Sequence, residues 1–173
     1  MRILDESLRN ANLRRWGTLK QERSSWLPRW RQCSDFILPF SGRFVSSDHN
    51  RGDKSFNQIY DSTGTRAHSI LSAGLMAGMT SPARPWFRLA TPDADLMERH
   101  AVKEWLDFVS QLMRDIFARS NTYRAFHTQY DELGCFATSV NLIEDNFDTV
   151  LWNHTLTAGE YCIGVNALGR VVT

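Results

Sequence analysis

The stretch Ile59–Leu89, IYDSTGTRAHSILSAGLMAGMTSPARPWFRL, decides how the rest of this chain is read. It opens on Asp61, Ser62 and Thr63, residues that suit a helix N-terminus, and continues through Ala67, Ala73, Gly74, Ala77 and Gly78. Small residues at this spacing predict a helix with one smooth face. An interior glycine costs about 1 kcal/mol relative to alanine, so close packing by another helix or subunit is expected to offset Gly74 and Gly78. A large residue at either position should then overfill the contact, at about 1–3 kcal/mol. Alanine there should be neutral or stabilising where no partner approaches. The helix must stop at Ser81-Pro82-Ala83-Arg84-Pro85, because Pro85 lacks an amide donor and disfavours the α conformation at Arg84. Trp86–Leu89 is then expected to run extended, with Trp86 and either Phe87 or Leu89 on a core. Gly74, Gly78 and Trp86 are assigned to packing between subunits.

On the N-terminal side, Leu4, Leu8, Ala11 or Asn12, Trp16 and Leu19 recur at helical spacing, so residues 5–23 predict an amphipathic helix, interrupted by Gly17. A second helix is expected after a Ser24 or Ser25 cap, with Pro28 in its first turn. Trp26, Trp30, Cys33, Phe36 and Ile37 would share one face, and Pro39 would end it. Both tryptophans read as core or interface anchors before a ligand platform, because large aromatics on a helical stripe mostly bury area. Residues 40–56 turn to Ser, Gly, Asp, Asn, Arg and Lys, the composition of a surface loop. Arg43, Arg51 and Lys54 are expected nearest a polyanion; a solvated connector is the alternative.

On the C-terminal side, Thr91 reads as a cap, Pro92 as the first helical residue, and Asp93 and Asp95 as acids over the positive end of the dipole. A long helix follows, with Val102, Trp105, Leu106, Val109, Met113, Ile116 and Phe117 in the apolar rhythm up to Ser120-Asn121. Another runs from Tyr123 to about Phe136, with Phe126, Tyr130 and Leu133 on one side and Gly134 marking a tight crossing or a stop. Beyond Ala137 the period changes to two. Ser139–Glu144 and Thr149–Thr157 read as strands joined by the turn Asp145–Asp148, and Glu160–Val165 leads through a turn at Asn166–Gly169 into a return strand.

The class is therefore α+β: N-terminal helices with a long central helix, followed by a small antiparallel β part. Residues 1–137 would form the helical region, with its loop at 40–56, and 138–173 the start of a β region. The last hairpin stops half-built, leaving an open edge, so a gene fragment or an edge completed by a neighbouring chain is expected.

At 173 residues the chain can bury one ordinary core. Its net charge of +1 hides an asymmetry: residues 1–91 carry fourteen basic and seven acidic side chains, residues 92–173 six and twelve. All but Lys20, Lys54 and Lys103 of the cations are arginine, which suits bidentate contacts at an interface. Head-to-tail contact between copies and a solvated face both fit. Cys33, Cys135 and Cys162 are isolated and lack metal or redox spacing, as expected of reduced thiols in a cytoplasmic setting. Arg2–Arg15 alternates charge with leucine instead of presenting a signal-peptide core, and the apolar run Ile70–Met79 falls short of the roughly 20 residues of a membrane helix.

Chemistry-bearing patterns are sparse. His49, His68, His100, His127 and His154 fall in different elements, so no metal site is expected. Glu144 and Asp145 are adjacent and point apart on a strand, the wrong disposition for an acid and base pair. Ser62–Thr65 could hold an anion on free helix amides, but capping accounts for them. Asn153-His154-Thr155 matches a glycosylation acceptor that carries no weight without secretion. No catalytic, cofactor-binding or metal-binding residue is assigned.

Four motifs together, Ile59–Gly64, Leu71–Leu89, Tyr130–Gly134 and Gly159–Tyr161, resemble the head-to-tail connector, or portal, proteins of short-tailed bacteriophages. The resemblance covers nearly all the chain from about Trp16 and concerns the N-terminal wing part of a longer protein, with the stem and clip beyond Thr173. It implies a virion protein, assembled in the host cytoplasm into a ring, usually of twelve copies, at a capsid vertex. Genomic double-stranded DNA would be packaged through it by a terminase motor and ejected through the tail, with capsid and tail adaptor as further partners. It implies no catalysis, cofactor or membrane. A channel must let DNA slide, and dense phosphate contacts would brake it, so a modest net charge is compatible. Two readings compete: a nucleic-acid-binding module using the Arg-rich first half, and a hydrolase whose site straddles subunits near His68, His127 or Glu144. A chain of this length is expected to be monomeric or polydisperse with its wing fold intact.

Overall fold

The computed structural model describes residues 2–42, 44 and 59–171. The described parts of Met1–Thr65 and Thr157–Thr173 make one compact unit, and Arg66–Leu156 makes the other. Helices followed by one antiparallel hairpin confirm the α+β class.

In the first unit, α1 (Arg2–Ser24) is followed almost at once by α2 (Leu27–Phe36). Ser24 and Ser25 do not cap α2. Their hydroxyls donate backwards to the carbonyls of Gln21 and Glu22, using up acceptors at the end of α1. Trp26 takes the N-cap position in an α conformation without a side-chain cap, and Pro28 occupies the first turn as expected. Only part of the expected α2 face is covered: Trp30 is buried, whereas Trp26 and Phe36 are about half exposed. The helix ends before Pro39, with the Ile37 amide on the Cys33 carbonyl.

Buried Ser34 donates to the Ser41 carbonyl at 2.7 Å and folds the following turn back on the helix. The chain terminus is tied to this unit by Arg23, whose Nη1 donates to the carbonyls of Gly159 and Tyr161 at 2.7 and 2.8 Å. The Gly42 amide donates to the Thr157 hydroxyl at 2.7 Å, and Ala158 and Tyr161 are buried. Among the described residues the expected terminal hairpin shows one antiparallel bridge, Val165 to Val171, around a turn in which Asn166 Oδ1 accepts the amides of Leu168 and Arg170. Gly169 turns it at φ +73°. Glu160–Gly164 does not form a strand.

The second unit contains nearly all of α3 (Thr63–Met79), then α4 (Ala94–Glu98), α5 (His100–Arg119), α6 (Thr122–Phe136), β1 (Val140–Asn146) and β2 (Val150–Leu156). The cap ahead of the long helix is Asp93, not Thr91: its carboxylate accepts the amides of Asp95 and Leu96. Those bonds hold only the short α4. Arg99 has extended backbone, which breaks the helix, and its carbonyl then accepts the amides of Val102 and Lys103 to start α5.

Trp86–Leu89 lies outside any helix or strand and, as expected, packs on the helices. Trp86 stacks on Phe117 (ring centroids 6.3 Å apart), meets Phe126 edge-on at 5.9 Å, and donates from Nε1 to the Tyr123 hydroxyl. The Leu89 amide donates to the buried Ser110 hydroxyl, which donates in turn to the Leu106 carbonyl of α5. The inner face of α5 is the one read from its periodicity, centred on buried Leu106, with one correction: Trp105 is exposed, not core. Leu133 of α6 is likewise about half exposed.

The hairpin pairs Val140 with Leu156 through Asn146 with Val150, leaving Phe147, Asp148 and Thr149 as its loop. Asn146 Oδ1 accepts the amides of Asp148 and Thr149, the turn chemistry expected of that sequence. Val150 closes it at φ +71°, an outlying conformation for a β-branched residue. Helix gives way to strand after Ala137, which ends α6 in the left-handed conformation.

Candidate interaction surfaces

The N-terminus of α3 is held by Asp61, whose Oδ1 accepts the Thr63 amide at 3.3 Å. The Thr63 side chain first, and its amide second, lower the Asp61 pKa below the usual carboxylate value. A carboxylate therefore already serves the amides that an external anion would need. At the other end, Arg84 Nη2 donates at 3.0 Å to the carbonyls of both Ala77 and Gly78. A cation over the last carbonyls complements the helix dipole, so Arg84 closes α3 and is not a free phosphate ligand. Periodicity could not show this role; the Arg-Pro bend just after the helix was the available signal.

The smooth face of α3 is open. A methyl group added at Gly74 or Gly78 would meet nothing within 4 Å, so no neighbour among the described residues offsets either glycine. The close helix contact lies elsewhere, at Gly134 of α6. There an added Cβ would come within 3.0 Å of His68 Cε1, 3.3 Å of its Nδ1 and 3.4 Å of Leu71 Cδ2. Of the two readings open for Gly134, the tight crossing holds. Trp86 packs within its own unit, in the aromatic cluster described above. Arg43, Arg51 and Lys54, and most of the 40–56 loop, lie outside the described residues.

Two of the five scattered histidines converge. His68 of α3 is buried, with Nε2 at 3.6 Å from one Asp131 oxygen, and His127 approaches the other oxygen from one turn away on α6, at 3.2 Å. Their separation in sequence concealed the grouping, although His127 and Asp131 are four apart. Among the described residues no group of three His, Cys, Asp or Glu side chains could hold a metal ion. His154 Nε2 lies 3.3 Å from a Glu144 carboxylate oxygen across the hairpin, so that carboxylate has an exposed imidazole partner.

One densely connected polar site was missed altogether. Asn153 is 5% exposed and joins β2 to the α5–α6 corner. Its amide donates to Asn121 Oδ1 at 2.8 Å, its Nδ2 to the Thr122 hydroxyl at 2.9 Å, and its carbonyl accepts from Asn121 Nδ2 at 2.7 Å. Asn141 Nδ2 donates to its Oδ1 at 2.7 Å. The acceptor motif at Asn153 is thus a buried structural asparagine.

The surface carries much apolar area. On α5, Trp105, Phe108 and Leu112 are 63%, 66% and 48% exposed, a second stripe beside the buried one. Patches of this kind mark sites where another protein packs.

An open smooth helix and a long helix apolar on two sides offer faces suited to packing against other protein. Comparison with known sequences gives the family: the family model described as bacteriophage head to tail connecting protein matches residues 9–173, and the chain belongs to that family. It is 53% identical over 171 residues to the probable portal protein of Bordetella phage BPP-1, covering 99% of this chain and 31% of that protein. It is 40% identical over 168 residues to the portal protein of Salmonella phage epsilon15, covering 97% of this chain and 30% of that protein. The chain thus spans under a third of the length of these curated relatives.

Proposed function

We propose that this chain is part of a structural subunit of a phage portal, a ring at one capsid vertex through which double-stranded DNA enters during packaging and leaves at ejection. The observation that carries the proposal is the 53% identity to a probable portal protein across 99% of the chain. In this reading the protein is a virion component assembled in the host cytoplasm, without catalysis or a cofactor. Its partners are further copies of itself, twelve in the ring, together with genomic DNA, capsid, tail adaptor and terminase motor. The open face at Gly74 and Gly78 would receive neighbouring protein, with Trp86 bracing the bend beneath it, and Arg43, Arg51 and Lys54 would lie nearest the DNA.

The test is electron microscopy of particles of the encoding virus with gold-labelled antibody raised against this chain. Label confined to a single vertex per capsid supports the proposal. Label spread over the shell, or confined to non-structural protein in the lysate, overturns it. The rival reading, a nucleic-acid-binding module, has less support because Arg23 and Arg84 are spent on carbonyls and Arg88 is paired with Asp107.

A further inference from the structure

The outer stripe of α5 has a counterpart elsewhere in the same chain. Trp105, Phe108 and Leu112 lie along one face, bordered by Glu104 and Asp115, two exposed carboxylates eleven residues apart. On α1, Leu13 and Trp16 are 56% and 42% exposed, and they sit between Arg9 and Lys20, two exposed cations also eleven residues apart. Positions 9, 13, 16 and 20 share one helical face, as do 101, 105, 108 and 112. Eleven residues of helix span about 16 Å, so the two cations can meet the two carboxylates while the apolar residues between them make contact. None of the four charged groups has a salt bridge among the described residues.

We propose that the Trp105–Phe108–Leu112 face of α5 binds the Leu13–Trp16 face of α1 from a second copy of this chain, with Arg9 and Lys20 opposite Glu104 and Asp115. The contact rests on the ring-subunit reading and names surfaces that join neighbours. It is heterologous, one copy offering α1 and the next offering α5, which is the type of interface that closes into rings or extends into filaments. Exposed tryptophan and phenylalanine at its centre are the residue types that dominate such interfaces. The matched charges set its register and make it sensitive to salt.

Sedimentation velocity of the full chain over a range of concentrations tests the contact. The wild type is expected to gain mass with concentration and to lose that association as salt rises. Phe108→Ser should weaken it by about tenfold or more, and the double change Glu104→Arg with Asp115→Arg should do the same. Mixing that variant with Arg9→Glu, Lys20→Glu protein should restore association in the mixture alone. All these side chains are exposed, and far-UV circular dichroism checks that the variants remain folded. A monomeric wild type, an unaffected Phe108→Ser protein, or reversed-charge variants that fail to rescue one another would each overturn the contact. Single-vertex antibody label combined with any of those results retires this contact and leaves the portal reading intact; label away from the vertex retires the portal reading whatever the sedimentation shows.

Discussion

Gly134 allows α3 and α6 to approach because it has no Cβ to press on His68. His68 is buried and faces Asp131, which limits the room its ring has to yield. Gly134→Ala is therefore expected to destabilise the fold by about 1 kcal/mol in urea unfolding, overfilling outweighing the better helix propensity of alanine. Asn153→Ala should cost more, about 2–3 kcal/mol, because it strands the polar groups offered by buried Thr122 and by half-buried Asn121 and Asn141; a loss below about half a kcal/mol would mean that water replaces the side chain freely. Asp61 gives the pH prediction. Its folded pKa is lowered, so its contribution to the α3 N-terminus is present above the unfolded value near 4 and is lost as pH falls through the folded pKa. The Thr63 amide resonance should titrate with a midpoint below that of an unfolded-peptide aspartate, and Asp61→Asn should abolish the titration. Asp61 and its neighbours were legible as a cap because capping is local, whereas the Asn153 network joins residues from three elements and leaves no periodic trace.

At the scale of elements, α3 and α5 present the same contrast. Both were located from sequence, since proline breaks and a 3.6-residue rhythm are properties of neighbouring positions, yet their exposed faces were not. In the single chain the glycines of α3 are open, so Gly74→Ala and Gly78→Ala are each expected to raise stability by about 0.5–1 kcal/mol, read as a higher Cm in urea. Gly78→Leu should leave the isolated chain stable as well; the overfilling expected from sequence would appear only where a neighbour covers that face. The short α4 shows a cap signal misread in both place and reach. Asp93, read as an acid behind a Thr91 cap, is itself the cap, and extended Arg99 makes it the start of a different helix from the long one.

For the molecule as a whole, charge is the property to test. A net charge of +1, with several first-half arginines engaged by the protein itself, predicts weak retention of double-stranded DNA and a shallow dependence on salt. Filter binding over a salt series measures both. Tight binding with a slope equivalent to many phosphate contacts would move the function towards a nucleic-acid-binding module, and changing Arg43, Arg51 and Lys54 to alanine would show whether that binding resides in the 40–56 stretch.

By itself the sequence determined where most helices and both strands of the hairpin lie, the bend at Ser81–Pro85, and, through the motifs around it, the family. These follow from backbone preferences set within a few residues and from an unbroken match along the chain. Tertiary structure alone decided which glycine marks the close crossing, which side of α5 is left outside, and which polar groups are tied together. Burial depends on what arrives from far along the chain: His68 meets Asp131, and Arg23 finds the carbonyl of a glycine 136 positions away. No local pattern encodes such an arrival, because the cost of an unpaired group or an empty contact is assessed only once the chain has closed on itself.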